Sequence, residues 1–356
     1  MRGADDHSDH MFSYLSPESR VRADHPLRAI RGITDTALRA ISPDLERLYS
    51  DLGRPSIPPE QLLRALVIQV LYSVRSERLL MEEIDYSVLF RWFIGLNLDA
   101  PIWSHSTFSK NRDRLLRGDI AGVFFAAVAE QARAAGLLSD EHFTVDGTTL
   151  EAWASLKSFQ PRDAAPPDDP DRGNPTVNFK GQRRKNDTHV SRTDPDARLY
   201  RKADGDKAVL AYLAHVLLDN RHGLVHSACA TAADGFAERE AAELLLEATG
   251  RRRGTVGADK GYNVPNFVAA ARRLGFTPHV AEKAKYNAID GRVTRTWGYA
   301  VSQRKRKLVE QVFGWMKTVG LLRKLRHRGG ERVNWIVMFT AAAYNMVRMR
   351  RLLAEA

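Results

Sequence analysis

Three acidic residues, far apart in the chain, have the surroundings that chemistry needs: Asp146, Asp259 and Glu310. Asp146 closes a β-prone run, His142-Phe-Thr-Val-Asp146, and precedes glycine. Asp259 closes another, Thr255-Val-Gly-Ala-Asp259, and precedes Lys-Gly. Each is expected at the mouth of a strand, with room beside it for a substrate. Glu310 stands among cations in a helical stretch, where residues four and seven apart share a stripe. Arg306, Glu310, Gly314 and Lys317 are therefore expected on one face, the bare Gly314 letting a ligand approach. Two strand-end carboxylates and one helical carboxylate can converge on a pair of Mg²⁺ ions, with Mn²⁺ as a substitute. Such a pair serves phosphodiester cutting and joining. Taken singly, each feature has a plainer reading, a turn aspartate or a salt-bridged helix face; their combination favours the metal reading.

The rest of the composition suits that chemistry. With 356 residues, 44% of them hydrophobic and 27% charged, the chain is long enough for two or three ordinary globular domains. A net charge of +11 and a pI near 9.8 point to a polyanionic partner. The single cysteine, Cys229, excludes an intrachain disulfide framework and a cysteine-cluster zinc site, and is expected as a small core residue. No basic start leads into an apolar stretch, and the longest apolar runs fall short of the ~20 residues of a membrane span. The expected location is the cytoplasm, with no membrane partner.

The elements that must position these residues divide the chain in four. Residues 1–54 are polar with short helical pieces at 34–41 and 43–51. Residues 55–138 read as helices over 60–72, 77–93, 107–116 and 119–135, the third capped by Ser104 or Ser106. That third helix carries Lys110, Arg112 and Arg114, as in a helix-turn-helix unit that meets DNA; the alternative is a small bundle with a solvated basic face. From 139 to 330 the pattern changes. Strands are expected at 142–150, 208–218, 224–231, 255–258 and 276–280, with a hairpin loop at 219–223 and helices at 237–248, 265–274 and 305–318. This order predicts an α/β domain, a mixed sheet flanked by helices. Residues 155–201, rich in Pro, Asp, Gly, Lys and Arg, read as a mobile or disordered insertion. Residues 331–356 are expected as a terminal helix packing on the catalytic domain.

Three blocks, Asp146-Gly-Thr-Thr, Asp259-Lys-Gly-Tyr262 and Arg306-x3-Glu310-x6-Lys317, resemble the catalytic blocks of bacterial insertion-sequence transposases of the DDE type, the superfamily that includes insertion sequences four and five. Residues around Phe90-Arg-Trp-Phe-Ile-Gly95, Ser106-Thr-Phe-Ser-Lys-Asn-Arg112 and Thr188-His-Val-Ser-Arg192 resemble other parts of that family, so the likeness runs from about 55 to 350. One departure is Gln303, where the family carries a tyrosine three residues before the arginine. The resemblance implies a ribonuclease-H-like sheet and a DNA transposase acting on transposon ends and target DNA. Its three carboxylates would be both catalytic and metal-binding, and it would work as a dimer or larger on DNA. It also implies that Arg306, Lys317, Lys260 and Tyr262 meet DNA phosphates, with packing under its turn as an equal reading for Tyr262. Two rivals stay open: a non-transposing nuclease on the same scaffold, and a DNA-binding regulator descended from an inactive transposase.

The remaining features have modest expectations. Basic clusters at 180–185, 251–253, 304–307 and 323–328 could follow a DNA backbone. Trp153, Trp297 and Trp315 could stack on an unpaired base, with ordinary packing as the favoured reading. His105, His189 and His215 lack metal-ligand spacing, and Asp194 and Asp196 read as a turn.

Overall fold

The structure is a computed structural model and describes residues 16–50, 56–162, 184–202, 205–250 and 253–355. The amino-terminal half is helical: α1 (Pro17–Arg20), α2 (Pro26–Ala40), α3 (Ser42–Glu46), α4 (Pro59–Leu71), α5 (Glu77–Tyr86), α6 (Val88–Ile94), α7 (His105–Arg117) and α8 (Ile120–Ala134). In α2, Leu27, Ile30, Ile33, Thr34, Ala37 and Leu38 are buried, the three- and four-residue steps of a single apolar face. The double proline at 58 and 59 starts α4, where proline loses nothing by lacking an N–H. The helix expected over 77–93 is two helices. Ser87 ends α5 and caps α6, its side chain accepting from the Phe90 N–H at 3.2 Å. Of the two serines expected to cap α7, Ser104 does so, accepting from the Thr107 N–H at 3.2 Å.

The second half holds β1 (His142–Glu151), β2 (Phe159–Pro161), β3 (His189–Ser191), β4 (Arg198–Tyr200), β5 (Val209–Asp219), β6 (Val225–Ala232), α9 (Ala237–Glu247), β7 (Gly254–Ala258), α10 (Pro265–Arg273) and β8 (Phe276–Val280). These are followed by α11 (Gly291–Thr294), α12 (Trp297–Lys305), α13 (Leu308–Thr318) and α14 (Gly330–Glu355). The main sheet runs β4-β5-β1-β7-β8, with β6 also pairing β5. Strand β5 is antiparallel to both β1 and β6, whereas β1, β7 and β8 are parallel. The five long strands thus have the order third, second, first, fourth, fifth, with only the second reversed. That is the ribonuclease-H-like arrangement expected from the sequence.

The stretch expected as a mobile or disordered insertion at 155–201 carries regular structure in its described part. Strands β2 and β3 form a two-stranded antiparallel sheet, and β4 pairs β5. Residues 163–183 of it lie outside the described residues. Asp194 is more than a turn residue. It is fully buried, and its Oδ1 accepts from the Tyr212 hydroxyl at 2.7 Å and from the Gly329 N–H at 3.1 Å. Asp196 accepts from the Gly330 N–H at 2.9 Å, so this loop secures the start of α14.

Helix α14 packs against β6 on one side and against α8 and α2 on the other. One apolar core therefore runs from the amino-terminal helices through α14 to the sheet. It also closes β6 with amides. Asn334 accepts from the Ala230 N–H at 2.8 Å. The fully buried Asn345 accepts from the Val225 N–H and donates to the Val225 carbonyl, both at 2.8 Å. An open strand edge is an aggregation hazard, and these bonds close it. Asn345→Ala, which leaves a buried N–H and carbonyl unpaired, is expected to cost about 2–4 kcal/mol. A fall in the urea midpoint with the unfolding slope unchanged would show it; an unmoved midpoint would mean that water or a neighbour satisfies Val225.

Candidate active site

Strand register brings the first two carboxylates together. Strand β1 pairs β7 in parallel from His142 opposite Thr255 to Thr144 opposite Gly257. Two residues beyond that last pair, on each chain, come Asp146 and Asp259. Asp146 lies inside β1, not at its end as expected from the sequence, because β1 runs on to Glu151 against β5, with Asp146 opposite Val216. Nevertheless it stands at a rim, since β7 stops at Ala258 and the chain turns away. Asp259 makes that turn, its side chain accepting from the Gly261 N–H at 2.7 Å. Asp146 accepts from the Gly147 N–H at 2.8 Å.

Burial and neighbouring charge act on this group together. Burial, with Asp259 and Glu238 beside it, pushes the Asp146 carboxyl up to about 6, against the opposing pull of the Gly147 N–H and Arg306. Glu238, in the first turn of α9, is raised by burial and by Asp259, with Lys202 and Arg239 opposing. Glu238 was not singled out by the sequence, where it reads as an acidic residue opening a helix, an ordinary preference with no signal of its own. Tyr262, whose phenol is raised by burial and then by Glu238, Asp146 and Asp259, borders the same carboxylates.

Glu310 stands on a helix outside the sheet, in the first turn of α13. The single helix expected over 305–318 is broken, α12 ending at Lys305 and α13 beginning at Leu308. Arg306 lies in the break and not on a continuous stripe with Glu310. It is drawn toward Asp146, on which its charge acts. Val309, Val312, Phe313 and Met316 bury one face of α13, which packs on β1, and leave Glu310 and Gly314 exposed. A side chain at Gly314 would meet open space. Lys317 is half-buried, its ammonium shifted down by burial and by Lys202 and Arg323. Gln303 donates to the His279 carbonyl on β8 at 2.5 Å, so at the departing position it ties α12 to the sheet.

The other predicted contacts divide. Lys260 and Lys110 are exposed. Tyr262 is fully buried and packs edge-on against Phe267 with ring centroids 5.1 Å apart, which places it out of reach of a DNA backbone. Arg112 is occupied by ion pairs to Glu77 and Asp113, joining α7 to α5, and Arg114 lies over the Tyr49 ring at 4.7 Å. These two cations hold the helical region together. Trp153 and Trp297 are exposed, whereas Trp315 packs against Tyr344. Cys229 is partly exposed, its thiol pushed by burial up to about 11. The cluster residues 180–183 and 251–252 lie outside the described residues.

Among the described residues, no three His, Cys, Asp or Glu side chains stand close enough to hold a metal ion. The donor set nonetheless fits hard divalent cations. Asp146 and Asp259 offer carboxylate oxygens only, and with Glu238 beside them the like charges act on one another across the rim. Three anions do not close up unaided; a divalent cation provides the attraction that closing them takes. Among the described residues, no helix is long and apolar enough to cross a membrane.

Two family models match the chain: a transposase domain (DUF772) over residues 15–114 and a transposase DDE domain over residues 178–346. Asp259 and Glu310 fall inside the second match, and Asp146 lies between the two. No curated protein matches the chain. Solved structures similar to it include a pre-cleavage Mos1 transpososome, at 12% identity over 86% of this chain and 81% of that one, with a TM-score of 0.21. Another is a Mos1 transposase paired-end complex with left transposon end, at 11% identity over 76% and 82%, with a TM-score of 0.20. Superpositions this loose carry no argument, and the fold rests on the strand order described above. From the two family matches, which together span most of its length, the chain belongs to the insertion-sequence DDE transposases, metal-dependent polynucleotidyl transferases.

Proposed function

We propose that this transposase cuts DNA at the ends of an insertion sequence and joins the freed ends to target DNA, both at one centre formed by Asp146, Asp259 and Glu310. The observation that carries this reading is the parallel β1–β7 register, which sets Asp146 beside Asp259 at the rim where the sheet opens. In this reading Asp146 and Asp259 hold the centre from the sheet, and Glu310, on the exposed face of α13, completes it when metal and DNA are bound. A pair of divalent ions, Mg²⁺ or Mn²⁺ in its place, supplies when bound an acidified water and neutralises charge on the departing 3′ oxygen. Arg306, beside Asp146, offsets the carboxylate charge before substrate arrives and faces a phosphate afterwards. Lys317 and the exposed Lys260 flank it as further phosphate contacts. Partners are transposon ends and target DNA, met by two protomers or more because two ends are joined, on nucleoid DNA in the cytoplasm.

The decisive experiment uses the full chain, DNA carrying the inverted repeats that flank its gene, and a pre-cut end to score strand transfer. Asp146→Asn, Asp259→Asn and Glu310→Gln are each expected to lower metal-dependent nicking and strand transfer at least ~10³-fold while DNA binding is retained. Nicking unchanged in Asp146→Asn would sink the assignment. Nicking without any joining of a pre-cut end would favour the nuclease reading.

The raised Asp146 carboxyl predicts a stability effect in metal-free protein. A folded pKa of about 6 against an ordinary 3.8 means that folding disfavours the ionised form. The penalty is absent below pH ~3.8, grows between there and 6, and is complete above it, reaching at most about 3 kcal/mol. Asp146→Asn is therefore expected to stabilise the chelator-treated protein at pH 7.5 and to make no difference near pH 4, as read from urea unfolding at the two pH values.

A further inference from the structure

We propose that Glu238 is a further acidic member of this catalytic centre, a divalent-cation ligand entering from α9 over the backbone of Gly147. The inference rests on the metal-dependent reading of Asp146 and Asp259 and adds to it a residue that none of the three sequence blocks contains.

Contact geometry is the first support. A Cβ placed on Gly147 would lie 3.2 Å from both Cγ and Oε1 of Glu238. The glutamate therefore lies directly on the backbone next to Asp146, and the glycine is what leaves room for it. It is half-buried and, among the described residues, has no hydrogen-bond partner for its carboxylate. A structural role in capping α9 is already filled by Asp234, whose Oδ1 accepts from the Phe236 and Ala237 N–H groups at 2.8 and 2.7 Å. Holding an unbonded carboxylate against two others costs energy that nothing in the packing of α9 requires.

Two buried polar atoms around the same spot give independent support. His215 is fully buried. Its Nε2 is engaged with the Thr231 hydroxyl at 2.8 Å, while its Nδ1 has no partner and lies 3.1 Å from the same Cβ position on Gly147. The Tyr262 hydroxyl is likewise buried without a partner, and Glu238, Asp146 and Asp259 are the anions that act on it. Buried polar atoms left unpaired are uncommon and mark a place where something else completes the bonding. Here an imidazole nitrogen and a phenol stand behind the carboxylates, placed to orient them around a cation as supporting groups do in metal centres.

Binding of Mn²⁺ to the full-length protein without DNA, followed by electron paramagnetic resonance and by calorimetry, tests this apart from activity. Glu238→Gln is expected to weaken Mn²⁺ at least ~10-fold, and its nicking deficit is expected to shrink as Mn²⁺ is raised. Glu238→Asp keeps charge and helix but draws the carboxylate back by one methylene; it is expected to weaken Mn²⁺ several-fold with an unchanged thermal midpoint, and it serves if the glutamine variant does not fold. Wild-type affinity and stoichiometry in either folded variant, with Asp146→Asn impaired, would overturn the role of Glu238 alone. Wild-type Mn²⁺ binding in Asp146→Asn as well would instead remove the metal centre on which the inference stands.

Discussion

The parallel pairing of β1 with β7 is the constraint on which everything else depends. Its backbone hydrogen bonds fix which residue of one strand stands beside which of the other, and a slip of one residue would turn a carboxylate to the opposite face of the sheet. Two aspartates more than a hundred residues apart are neighbours only because of it. Their mutual repulsion opposes the arrangement, so the strands must be anchored elsewhere. Val145, Val256 and Ala258 are fully buried beside the acids, and their apolar packing outweighs the electrostatic cost at the rim.

That anchoring reaches well beyond the sheet. Helix α14 joins β6 to α2 and α8 through one continuous core, so the helical half and the catalytic half fold against a shared element. Helix α13 precedes it and packs on β1, which gives Glu310 a rigid support although its side chain is exposed. Arg326, following α13, donates to the Val74 carbonyl at 2.9 Å, another tie from the site's supporting segment to the helical half.

How much of this was legible from the sequence depended on whether a pattern was local. The five strands of the sheet, and the helices after the third and the fourth, were legible because apolar runs between glycines and prolines carry their own boundaries. Ser87 was missed as a helix break because the apolar period continues through it from Leu80 to Ile94; only its side-chain cap separates the two helices. The break at Arg306 was missed for the same reason, since the helical pattern read over 305–318 does not reveal that the chain tightens for two residues. Asp259 was readable as a strand-end acid, and Asp146 as an acid on a strand but not as one inside it. Glu238 was not, because its partner surface is the bare backbone of Gly147, a contact that no spacing in the chain encodes.

The basic residues show the same limit from another direction. Net charge of +11 announces a polyanionic partner, but it does not say which cations remain to meet it. Arg112 lies on a helix that the sequence suggests for DNA, yet its guanidinium is occupied by Glu77 and Asp113. Arg91, in the Phe90–Gly95 block, is buried and donates to the carbonyls of Asp85, Asn97 and Ala100, fastening the loop that leads to α7. Arginine's five fixed donors suit it to this work. The cations that remain exposed around the carboxylates, Lys260 among them, are then a small part of the total, and they lie where phosphate charge must be met if the acids are to hold metal beside a DNA strand.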